Sequence, residues 1–168
     1  AGSNVETSGS LFSGTYESTY LANGANWNSA PVTPAVGGFG LDVYLGFTCS
    51  AGQSVNTATV RGYFNANVSR NCNVYAYNWL TSSWDQLSDA TTRMNHTTAN
   101  QAYTYTLLPA HQKDDGAVRI GFKSTSTTTS DRLYVDQCLV NVAVAGATAG
   151  QIAEAVYSRM RYTAYAGA

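Results

Sequence analysis

From residue 41 onward, large apolar side chains recur at every second position in short runs separated by Gly, Ser, Thr and Asn. Leu41, Val43, Leu45 and Phe47 share one face of the first run. A period of two marks a half-buried strand, because successive side chains of extended backbone point to opposite sides. After a turn at Ser50-Ala51-Gly52-Gln53, Val60, Gly62 and Phe64 alternate with Arg61 and Tyr63. In the next run Val74, Ala76 and Asn78 alternate with Tyr75, Tyr77 and Trp79, so both faces carry sizeable side chains. The turn at 80–83 leads into a return strand that begins with Trp84 and Leu87. Runs at 102–108, 117–123 and 133–144 follow, divided by the charged turn 111–116 and the Thr/Ser-rich tip 124–130.

The flanks read differently. Residues 14–39 carry Tyr16, Tyr20 and Trp27 and close with Pro31, Pro34 and Gly37-Gly38, which predicts one or two short strands joined by turns. Residues 1–13 hold too few apolar side chains to fold alone and are expected as an arm. Beyond residue 147 the period changes. Thr148 and Gln151 form a capping-box pattern, and Ile152, Ala155, Val156, Arg159 and Met160 recur at helical spacing. The expected organisation is therefore an arm (1–13), an all-β antiparallel jelly-roll β-sandwich (14–146), and a short C-terminal helix with its tail (147–168). So short a helix is marginal alone. Its Ile152, Ala155, Val156 and Met160 stripe either packs on the sandwich or forms an assembly interface with another chain.

Composition sharpens this picture. At 168 residues the chain fits one domain, yet charged residues make up only 11%, less than half of the roughly 25% usual for soluble domains. Its polarity comes from 20 Thr, 16 Ser and 13 Asn, a strand- and turn-forming set. A net charge of −1 with two Lys and seven Arg offers no basic face for nucleic acid and no long-range attraction for anions. No apolar stretch approaches the about 20 residues needed to cross a bilayer. A Thr/Ser/Asn surface with few Lys gives strand edges little protection from pairing, so a homo-oligomer is expected. Cys49, Cys72 and Cys138 lack metal or redox spacing and read as small buried hydrophobes, with a Cys49–Cys72 or Cys72–Cys138 pair left open.

Signatures of phosphate loops, nucleophile elbows and zincins are missing, and His96 and His111 read as solvated loop residues. The three Glu (6, 17 and 154) are confined to the ends of the chain, which gives no support to paired-carboxylate catalysis. The expectation is a protein without enzymatic activity and without a cofactor. Asp136 interrupts an apolar strand and must be satisfied there, either as an acceptor for backbone amides, Arg61 or Arg119, or as a ligand of a structural calcium shared with Glu17 or Asp42. Tyr77, Trp79, Trp84 and Asp85 surround a tight turn. They form either a sugar-binding platform of flat rings with polar neighbours or ordinary core filling at the end of a hairpin.

The segments VYAYNWLTSSWDQL (74–87), YTYTL (103–107), GAVRIGF (116–122) and LYVDQ (133–137) resemble the jelly-roll domains shared by carbohydrate-binding modules and tailed-bacteriophage virion proteins. TAGQIAEAVY (148–157) is similar to a short helix appended to phage structural proteins, with Tyr157 where Trp is usual. The resemblance covers roughly residues 40–160. It implies a virion component, either a capsid decoration (cement) protein or a tail-fibre or tail-adaptor module, anchored through its terminal segments. Its partners would be other virion proteins and further copies of itself, with a trimer preferred by analogy. The alternative is a module that binds a surface glycan or host receptor through Trp79 and Trp84.

Overall fold

The computed structural model describes residues 3–8, 10–13, 26–31, 37–66, 70–94 and 99–144. Among these residues ten strands succeed one another: β1 (Ser3–Ser8), β2 (Ser10–Ser13), β3 (Trp27–Ala30), β4 (Leu41–Thr48), β5 (Gln53–Asn65), β6 (Asn73–Asn78), β7 (Ser83–Gln86), β8 (Gln101–Thr106), β9 (Ala117–Ser124) and β10 (Arg132–Val144). The period-two runs become strands, and β5 starts earlier than its alternation predicts, directly after the turn. Within the expected arm, Ser3–Ser8 and Ser10–Ser13 supply β1 and β2. Edge pairing needs only backbone N–H and C=O groups, so a segment poor in apolar side chains is no worse at it. The expected helix, including Ile152, Ala155, Val156 and Met160, lies outside the described residues.

Two five-stranded antiparallel sheets result, ordered β1-β4-β9-β6-β7 and β2-β3-β10-β5-β8. They enclose a single core. Leu41, Val43 and Leu45 of β4 and Val118, Ile120 and Phe122 of β9 face Trp27, Val60, Phe64, Leu133 and Val135 of the other sheet, all fully buried. Trp27 packs against Phe122 across the sheets at 6.4 Å between centroids.

In β10 the pairing with β5 shifts between Val135 and Gln137, which makes Asp136 the extra residue of a β-bulge. A one-residue slip exchanges the faces of a strand. The bulge therefore lets Leu133 and Val135 before it, and Cys138 after it, all point into the core. The three cysteines are free and buried, so neither pairing left open by the sequence forms. Burial raises the Cys72 thiol and pushes Cys138 up to about 12, which leaves both as unreactive packing groups.

Candidate ligand-binding site

The inward positions Leu41, Val43 and Leu45 of β4, Val74 and Ala76 of β6, and Val118, Ile120 and Phe122 of β9 are apolar, so the outward positions of these strands are free to carry other chemistry, and strand order decides what they form together. On β4 and β9 the register sets Asp42 beside Lys123, Tyr44 beside Gly121, Gly46 beside Arg119 and Thr48 beside Ala117. Tyr75 of β6 lies beside Gly121, and Tyr77 lies beside Trp84 of β7. Four half-buried rings thereby become neighbours. Tyr77 meets Trp79 edge-on at 4.8 Å and Trp84 at 5.3 Å, and Trp84 reaches Tyr44 at 5.7 Å. Such tilted and edge-on contacts are the arrangement aromatic quadrupoles favour.

Trp84 reaches across the sheet because Gly121 has no side chain. A Cβ on Gly121 would stand 2.7 Å from Cζ3 of the indole, with Cη2 and Cε3 also within 3.2 Å. The indole thus lies against the backbone of β9, two strands from its own.

Cations are set among these rings. Lys123 is 92% buried at its side chain and donates to the Asp42 carboxylate at 2.9 Å, while its ammonium sits 4.7 Å from the Trp84 centroid, 5.4 Å from Phe39 and 5.7 Å from Tyr75. Arg119 holds its guanidinium 4.7 Å from Trp79, 5.1 Å from Tyr44 and 5.3 Å from Tyr77. Beside it, over Gly46 and Ala117, the surface sinks into a hollow of about 280 Å³ walled by Tyr44 and Arg119.

Of the four candidates from the sequence, Tyr77, Trp79 and Trp84 converge on this face and Asp85 does not. Asp85 pairs with inward-facing Ala76, so it points away from Trp84, its neighbour on β7. Its carboxylate accepts from Asn78 Nδ2 at 2.8 Å and His111 Nε2 at 3.1 Å, and these two hydrogen bonds, Asn78's first, hold it below the usual carboxylate range.

His111 is only 2% exposed, a correction to the expected solvated loop residue. Its Nδ1 accepts the Leu108 N–H at 3.1 Å at the head of a 3-10 turn, Pro109–His111, which leaves Nε2 to donate to Asp85. His96 lies outside the described residues. A second concavity, about 470 Å³, runs between β7 and β8 past Asp85, Asp89, Tyr105 and His111. Its carboxylates are already engaged: Asp89 accepts from the backbone and side chains of Thr91 and Thr92 at 2.7–3.0 Å.

Asp136, fully buried at the bulge, meets Arg61 Nε at 3.3 Å, the first of the two readings its sequence position allowed. Asp42 belongs to the other sheet and is bound to Lys123, while Glu17 lies outside the described residues. Among the described residues no three His, Cys, Asp or Glu side chains gather as a metal site.

Tyr44 and Lys123 were not singled out by the sequence, and Arg119 was named there only as a partner for Asp136, a place Arg61 takes. Each has a weak signal: a large or charged residue at the outward phase of an otherwise apolar strand, between Val43 and Leu45, between Val118 and Ile120, and after Phe122.

No protein-family model matches the chain, and no curated protein matches it. Among solved structures it is similar to a carbohydrate-binding module, CBM4, with 14% identity, 83% of this chain and 77% of that one covered, and a TM-score of 0.45. It is also similar to a Xylanase10C from Cellvibrio japonicus in complex with xylopentaose, with 16% identity, 84% and 28% coverage, and a TM-score of 0.40. A third similar structure is the enzymatically active domain of tailspike protein 4 from bacteriophage CBA120, with 10% identity, 84% and 19% coverage, and a TM-score of 0.36. This chain thus spans most of the first structure and less than a third of the other two.

Proposed function

We propose that this chain is a non-enzymatic jelly-roll module that binds glycan on the outer face of its first sheet. The observation that carries this reading is the contiguous set Tyr44, Tyr77, Trp79 and Trp84 beside an open hollow. Sugar rings present C–H faces that stack on aromatic planes and hydroxyls that seek polar edges. A rigid, half-buried platform supplies the planes without an ordering cost. So shallow a site suits short glycan segments held with micromolar to millimolar affinity, roughly 4–8 kcal/mol.

On this face the Asp42 carboxylate is held by Lys123. The virion role implied by the resemblance depends on residues 147–168, outside the described residues.

Affinity electrophoresis through gels containing soluble plant and bacterial polysaccharides tests the reading. Retardation by at least one polymer, lost in Trp79→Ala while the melting temperature stays within a few degrees, is the expected result. A parent chain unretarded by every polymer, or Trp79→Ala retarded equally, refutes it.

A further inference from the structure

We infer that the glycan bound here is acidic, and that Arg119 receives the carboxylate of a uronic-acid unit seated in the hollow over Gly46. The inference rests on the platform being a glycan site and adds what kind of glycan it takes.

Arg119 stands out by what its guanidinium lacks. Arg61, Arg70, Lys113 and Lys123 each hold a carboxylate, on Asp136, Asp131, Asp115 and Asp42. Arg119 has three aromatic rings around it and, among the described residues, no hydrogen-bond acceptor and no acid. Rings stabilise the charge and fix the guanidinium plane, yet they leave its five N–H donors unused. A planar fork held in place with its donors unspent matches a carboxylate, which can take two parallel hydrogen bonds from it.

The space is provided on the same side. The residue facing Arg119 on β4 is Gly46, so no side chain fills the ground beside the guanidinium, and the 280 Å³ hollow opens there. Asp42 neutralises Lys123, and Asp115 neutralises Lys113, whose ammonium lies 5.5 Å from Trp79, which makes Arg119 the uncompensated charge among Tyr44, Tyr77 and Trp79 within the described residues.

Rings and an Arg on a sheet face also suit single-stranded nucleic acid. Tracking a phosphate backbone takes a groove of several cations, however, and among the described residues this face offers one unpaired cation in a chain of net charge −1. One cation suits one carboxylate per bound segment.

The test uses two polymers of the same sugar, polygalacturonate and its fully methyl-esterified form, with neutral xylan and oligo-dT as comparisons. The parent should bind polygalacturonate at least about tenfold more tightly than the ester, as expected for a charge-assisted contact. In Arg119→Gln the ratio of acid to ester affinity should fall to about one, and Arg119→Lys should retain part of the preference. The ester comparison uses the unaltered protein and so does not depend on how well the variants fold. Equal binding of acid and ester, or an acid preference that survives in Arg119→Gln, overturns the inference and leaves the glycan platform standing. Oligo-dT binding tighter than polygalacturonate overturns it in favour of nucleic acid. Failure of the parent to bind any of the glycans overturns the platform reading and this inference together.

Discussion

Gly121 is where the platform can be broken with a single methyl group. Carbon atoms attract best at about 3.5–4.0 Å, and a new Cβ would meet Trp84 Cζ3 at 2.7 Å with two further ring atoms within 3.2 Å. The indole must then lift by about 1 Å. It cannot slide aside freely, because Tyr44, Tyr77 and Lys123 flank it. Overpacking of this kind costs about 1–3 kcal/mol, against roughly 0.5–1 kcal/mol gained by replacing a strand glycine with alanine. Gly121→Ala should therefore destabilise the parent by about 1–2 kcal/mol. In a Trp84→Ala background the obstacle is gone, and the same change should be neutral or stabilising by about 0.5 kcal/mol. The coupling in a double-mutant cycle, read from urea denaturation, should reach about 2 kcal/mol. Additive effects of the two substitutions would refute the claim that Trp84 rests on Gly121. A red-shifted tryptophan emission in Gly121→Ala would mark the lifted ring.

Two further outcomes follow from charges held in place by the fold. Asp42→Leu strands the largely buried Lys123 ammonium and should cost about 3 kcal/mol, whereas adding Lys123→Met should recover most of it; urea denaturation of the three variants checks both, and a double variant no better than the single refutes the ion-pair argument. The Asp89 carboxylate is lowered to about 2, chiefly by the Thr91 hydroxyl and then by the Thr91 and Thr92 amides, so its contribution is complete above the ordinary carboxylate value near 4 and is lost as pH falls through about 2. In Asp89→Asn the pH dependence of the melting temperature should flatten across that window, and an unchanged slope would show that the turn does not hold the charge.

How much of this was legible beforehand depends on the range of the interactions involved. Period-two alternation in 41–47 and 74–79 predicts strands and their inward faces because each side chain's direction follows from the backbone beside it. The cluster at Trp79 and Trp84 was visible for a similar reason, since a tight turn brings both strands of the β6–β7 hairpin together. Asp85 shows the limit: its neighbour in sequence faces the platform, but alternation turns Asp85 to the opposite side, where Asn78 and His111 bind it. The pairing of Ser3–Ser8 and Ser10–Ser13 as edge strands was not legible, because edge pairing depends on an available partner strand, and hydrophobic content carries no record of that.

The chain by itself determined an all-β protein with neutral polar surfaces, an apolar face on each period-two strand, and aromatic residues at one hairpin. Local backbone geometry and side-chain type suffice for those features. Only the tertiary structure decided that β4, β9, β6 and β7 lie side by side, and with them Tyr44, Arg119, Tyr77 and Trp84. These residues are separated by up to 75 positions, and their meeting follows from strand order and register. Those are set by how the two sheets share one core. The empty ground over Gly46 and the resting place of Trp84 on Gly121 belong to the same level, because a missing side chain acquires meaning only from what the neighbouring strands place around it.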